Sequence, residues 1–261
     1  MRGLLGLIVA LAFPAQQAPP APDVALPREP AKLAAAFTDT TRRLRALPWD
    51  GSGTVPDEVT LYALHHQRIL RLMAEQRALG DETLADLPAD VVGEARDTVA
   101  ARRAIDAIPR AGTIPAVRVA AAAPARDLRA IYGDAGRRFG ISWATLAAVN
   151  FVESAFGRVR SASEAGARGP MQFLPSTWAA HGQGGDIEDP HDAIFAAARY
   201  LKANGGGDRA LYAYNHSTSY VTAVKRYAAR MKRDERTFRT YYAWQVYVHT
   251  PSGSKRVTGP K

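Results

Sequence analysis

Apolar positions recur at helical spacing along most of the chain. Between residues 31 and 108, Leu33, Phe37, Leu44 and Leu47 share one helical face, with Arg42, Arg43 and Arg45 between them. Pro48 ends that run. A second helix is expected from Pro56-Asp57-Glu58, because proline fits a first helical turn and acids favour the positive end of the helix dipole. Leu61, Leu64, Ile69, Leu72 and Met73 carry it to about Gly80. A third stretch holds Val91, Val92, Val99, Ile105 and Ile108. Residues 110–125, with Pro115, Pro124 and a run of small side chains, read as a linker.

The periodicity resumes beyond the linker. Helices are expected over about 127–139, from the N-cap Ser142 to about Phe156, and briefly from Pro175. Another spans 190–203, with Asp189 as its cap and Pro190 in its first turn, and Gly205-Gly206-Gly207 closes it. Two more cover 208–214 and 217–231, and Tyr241–Val248 suits either a last helix or a strand. The fold class is mainly α: a small helical module of unknown role over 31–109, a second domain over 126–248, and a flexible tail over 249–261.

Two features bear on where the protein works. Met1-Arg2 followed by the apolar run Leu4–Phe13 has the form of a secretory signal or N-terminal anchor within residues 1–18. That run is shorter than the roughly 20 residues of a membrane span. Residues 19–30, rich in Ala and Pro, then read as a linker. Export to the periplasm, the cell wall or the medium is therefore expected. The balance of 34 Lys and Arg against 25 Asp and Glu, net +9, favours polyanionic surroundings. The chain has no cysteine, so disulfides, thiol catalysis and thiolate metal sites are excluded.

The strongest chemical signal is Glu153. The segment Trp143–Glu153 is apolar nearly all round and should be buried. A carboxyl group there, in the last turn of a helix, has its pKa pushed up by desolvation and by the negative end of the dipole. A carboxylic acid still protonated near neutrality can donate a proton to a leaving oxygen. The bland alternative is a structural glutamate paired with Arg158 or Arg168.

The following residues weigh on that choice. Glu153-Ser154 precedes Ser163, Gly166-Ala167, Gly169, Met171-Gln172, Pro175-Ser176 and later Tyr214-Asn215. In order and spacing this set resembles the lytic transglycosylases of the SLT type, whose lysozyme-like fold is related to goose-type lysozymes. One residue more than the family pattern stands between Glu153 and Ser163. Pro170 and Phe173 replace commoner aliphatic residues. The resemblance covers about residues 127–230 and says nothing of the first module.

The resemblance implies a lysozyme-like helical catalytic domain acting on peptidoglycan glycan strands. Glu153 falls on the catalytic acid/base. Ser163 falls on a serine that contacts the substrate N-acetyl group or orients the glutamate, and a loop-capping hydroxyl is the alternative. Met171 and Gln172 fall on groove-lining residues, though Met171 equally suits the core. Tyr214 falls on the tyrosine whose hydroxyl approaches the glutamate, and Asn215 on a groove amide; both also suit a helix terminus. The implied reaction needs one carboxylate. It breaks the β-1,4 bond between N-acetylmuramic acid and N-acetylglucosamine and leaves a 1,6-anhydromuramyl end.

The remaining candidates add little. Glu164, Asp186, Glu188, Asp189 and Asp192 match no catalytic position. His65 and His66 point about 100° apart on a helix and read as surface or groove residues. His181, His191 and His216 lack metal-ligand spacing. Neither a cofactor nor a metal is expected, and Gly205-Gly206-Gly207 lacks the residues of a phosphate loop. The basic run Lys225–Arg239 reads as a solvated helix face. Its sharper reading is attachment to anionic cell-wall polymers, with nucleic acid not a partner and the protein a monomer. Two rival functions remain: a hydrolytic muramidase on the same fold, and a catalytically silent wall-binding protein.

Overall fold

The computed structural model describes residues 18–109, 117–250 and 253–260. The expected signal segment, except residue 18, and residues 110–116 of the expected linker lie outside them. The described chain is mainly α, as its periodicity predicts. Its first helices are α1 (Pro30–Ala46), α2 (Asp57–Glu75), α3 (Arg77–Asp86) and α4 (Ala89–Asp106). Then come α5 (Ala125–Phe139), α6 (Trp143–Ser154), α7 (Pro175–His181) and α8 (Pro190–Ala203). The last are α9 (Gly207–Tyr214), α10 (Thr218–Arg233) and α11 (Glu235–Ala243).

Two expectations are corrected. The helix expected to run from Pro56 to Gly80 breaks at Gln76, whose φ of −100° and ψ of 88° leave the helical region. Gly80 does not terminate α2; it lies inside α3. A Cβ there would stand 2.1 Å from the Met73 carbonyl oxygen, so only glycine lets α3 fold so closely back on α2. The stretch read as a flexible tail instead opens with an antiparallel hairpin. Strands β1 (Tyr247–Thr250) and β2 (Gly253–Arg256) pair Tyr247 with Arg256 and Val248 with Lys255.

One hydrophobic core runs through α1–α4 and the helices that follow. α4 lies along α10, and α2 packs on α11. Polar pairs stitch the same faces. Gln67 exchanges two hydrogen bonds of 2.8 Å with the Gln245 backbone. Thr98 Oγ1 and Tyr241 Oη lie 2.6 Å apart in the interior. Arg226 and Arg230 of α10 both reach Asp97 of α4, at 2.7 and 2.5 Å. Part of the run read as a solvated basic face is therefore spent on internal pairing, because α4 covers that side of α10.

The adjacent histidines are also corrected: neither is a surface residue. His66 is fully buried, with Nε2 3.2 Å from Glu94 Oε1, and its Nδ1 accepts a hydrogen bond from Trp244 Nε1 at 3.3 Å. Arg45 neutralises Glu94 from the other side at 2.8 Å. His65 is buried too, and desolvation lowers its pKa to about 4. A helix buried on so much of its circumference has no solvent face to give them.

Candidate active site around Glu153

Glu153 is the penultimate residue of α6, a helix whose Ala144, Leu146, Ala147, Ala148 and Val149 are all fully buried. Its N-cap is Ser142, as expected, although the hydroxyl makes no capping bond. The chain then leaves the helix through three successive left-handed residues: Ala155 (φ 53°), Phe156 (φ 64°) and Gly157 (φ 84°). Such backbone is unfavourable for Ala and Phe and holds only where the surroundings fix it. Phe156 is anchored by its buried ring, stacked on Phe151 at 5.2 Å and edge-on to Phe238 at 5.5 Å.

Ser154 fixes the loop beyond. Its Oγ donates to the Pro170 carbonyl at 2.5 Å and accepts the Gly157 N–H at 2.8 Å. Asn150 Nδ2 donates to the same carbonyl at 2.6 Å, and Asn150 Oδ1 accepts from the Tyr132 hydroxyl at 2.5 Å. This buried network ties the 163–174 loop to the helix that carries the glutamate. Gly169 (φ 74°) completes the fit: a Cβ there would stand 1.9 Å from the Ile187 carbonyl oxygen.

Neither arginine that the sequence offers as a partner holds Glu153. Arg168 pairs with Glu188 at 3.2 Å, and Arg158 spends two donors on the carbonyls of Ala155 and Trp244. Glu153 Oε1 instead accepts a hydrogen bond of 2.7 Å from the Tyr220 hydroxyl. Burial raises its pKa to about 7, and the Tyr220 bond, which favours the carboxylate, opposes that rise. Glu153 also lines a cavity of about 190 Å³, together with Phe151, Tyr227 and Trp244. Among the described residues, no other carboxylate lines that cavity.

The other expected residues divide. Tyr214 lies close enough to feel the charge of Glu153, but its hydroxyl donates to the Met171 carbonyl at 2.6 Å, and the hydroxyl bonded to the glutamate belongs to Tyr220. The two rings stack nearly parallel, 6° apart with centroids 6.4 Å apart, so Tyr214 props the tyrosine that touches the acid. Met171 is corrected: its side chain is fully buried in the core, and only its carbonyl serves the site. Ser163 is exposed, and its Oγ accepts the Ala167 N–H at 3.0 Å, the loop-capping alternative. Gln172 sits at φ 49° with its amide on the Gly169 carbonyl at 3.0 Å. Asn215 follows α9 as its C-cap, partly exposed.

Tyr220 is the functional residue that sequence reasoning missed. A local signal exists: Ser217 caps α10 by accepting the Tyr220 N–H at 3.3 Å, which sets the tyrosine on the first turn. Among the described residues, Asp189, His191 and Asp192 could converge on a metal ion. Each is accounted for without one: Asp189 caps α8, and Asp192 accepts from the Asp186 N–H and lies against His191.

No curated protein and no solved structure matches the chain significantly. A family model does match, over residues 131–237, and its description is Transglycosylase SLT domain. The match spans α6, the Ser163–Phe173 loop, Tyr214 and Tyr220. Residues 131–237 are thus similar to a transglycosylase SLT domain, and the match leaves the first module outside it.

Proposed function

We propose that the protein cleaves the β-1,4 bond between N-acetylmuramic acid and N-acetylglucosamine in peptidoglycan, leaving a 1,6-anhydromuramyl end. The observation that carries this reading is the state of Glu153: a lone carboxyl group beside a cavity, with a pKa of about 7. Near neutrality such a group exists in both forms. The acid form gives its proton to the glycosidic oxygen as the acetamido oxygen of the muramyl residue attacks the anomeric carbon. The resulting carboxylate takes the proton of the 6-hydroxyl, whose oxygen then closes on the anomeric carbon and releases the acetamido group. The proton lost in the first step is regained in the second, and no water is consumed. A second carboxylate to activate water, which many glycosidases need, has no part in this sequence.

Tyr220 steadies the carboxylate, and the family resemblance, rather than a cavity contact, supports giving Gln172 and Asn215 the sugar hydroxyls and acetamido groups. Work on peptidoglycan implies a place outside the cytoplasmic membrane, in keeping with the signal-like N-terminus. The test is product analysis on purified sacculi. Wild-type protein should release anhydro-ended muropeptides, and Glu153→Gln should release none above background. Products heavier by one water would replace this reading with a hydrolytic muramidase. Sedimentation with sacculi but no soluble product would replace it with a wall-binding protein.

A further inference from the structure

The cavity beside Glu153 extends past the family domain. Its far wall comes from α2 and α4, where Arg71, Arg102 and Ile105 face Phe151 and Val152 of α6. Arg71 and Arg102, with Tyr247 of β1, also line an adjoining bay of about 730 Å³. Every residue lining this bay falls outside residues 131–237. The first module and the C-terminal hairpin therefore build a second compartment beside the cavity that Glu153 lines.

The bay is basic. Arg68, Arg77 and Arg103 join Arg71 and Arg102, against the carboxylates of Glu75 and Asp106. The two arginines at the junction are held from behind. Arg71 Nη2 meets Glu75 at 3.2 Å, and its guanidinium lies 4.1 Å over the Tyr247 ring, with the side chain only 9% exposed. Arg102 Nε meets Asp106 Oδ2 at 3.0 Å. Each is an i,i+4 pair along its own helix. Such a pair uses one or two of a guanidinium's five donors and fixes its plane. Burial lowers the pKa of Arg71, and the charge of Arg102 lowers it further, so two like charges meet at the mouth. An anion between them relieves that repulsion and gains charge-assisted hydrogen bonds.

We infer that this bay binds the anionic peptide arm of the glycan strand seated at Glu153, with Arg71 and Arg102 taking a carboxylate of that arm. The inference rests on the enzymatic reading given above. Its volume lies in the range of pockets that enclose a ligand of several residues or rings. The segments outside the family domain then act as a selector for strands that still carry peptide.

Three substrates test it: strands with native peptide arms, the same strands stripped of peptide by an amidase, and strands whose arm carboxylates are capped as amides. For the wild type, kcat/KM on native arms should exceed that on either modified strand by about tenfold, the size of one charge-assisted contact. Arg102→Gln should cut that ratio to within about twofold of unity, and Arg102→Lys should keep part of it. Equal cleavage of all three strands by the wild type would overturn the peptide bay and leave the enzyme standing. So would an Arg102→Gln protein with native circular dichroism and the wild-type ratio. Cleavage of none would overturn the enzymatic reading itself. The amide-capped substrate needs no variant, so a misfolded Arg102→Gln would leave the comparison decisive.

Discussion

In the reaction proposed above, Glu153 surrenders a proton and takes one back, so its proton affinity governs the rate. With a pKa of about 7, kcat/KM should hold steady just below neutrality and fall about tenfold per pH unit well above it, as the acid form is lost. Tyr220→Phe removes the donor that favours the carboxylate. The glutamate then holds its proton more tightly, and the alkaline limb should move to higher pH while the plateau drops about tenfold. A pH–rate profile of the two proteins on sacculi checks both effects, and an unmoved limb would mean that the bond does not tune the acid. The glutamate was legible because it is the one acid in an otherwise apolar helix. Tyr220 was not, because it reaches Glu153 from 67 positions away and the Tyr-Asn pair drew attention to Tyr214 instead. Met171 was ambiguous because a thioether suits a groove and a core equally, and only packing decides.

At the scale of elements, the site is a helix end whose exit path is forced. Ser154 spans that exit, holding one carbonyl and one N–H that no solvent reaches. Ser154→Ala should leave both with one partner fewer and lower the unfolding free energy by about 1–3 kcal/mol, read by urea denaturation. Its activity should fall as well, because the same bonds set the height of the loop against the helix. Destabilisation without loss of rate would make the clamp purely structural. Helix identities here followed from period and caps, as at Asp189. The breaks did not. Gly80 resembles a terminator in sequence and serves as a close contact in three dimensions, and the hairpin at 247–256 has too few residues for its alternation to stand out.

On the scale of the whole molecule, α1–α4 are part of the structure that makes Glu153 unusual. Composition placed a linker after residue 109 but could not show that the halves on either side share aromatic and polar contacts. A chain reduced to residues 117–261 would uncover Tyr241 and Trp244 and leave Arg226 and Arg230 without Asp97. It should give little soluble protein and no cooperative thermal transition, measured beside the full chain; a well-folded fragment would make the first module an accessory. Arg71, Arg102 and Ile105 also form part of the wall around the glutamate's cavity. Trimming to the borders of recognisable ancestry would thus let water in on the carboxyl group, and its proton would become as loosely held as that of any surface glutamate.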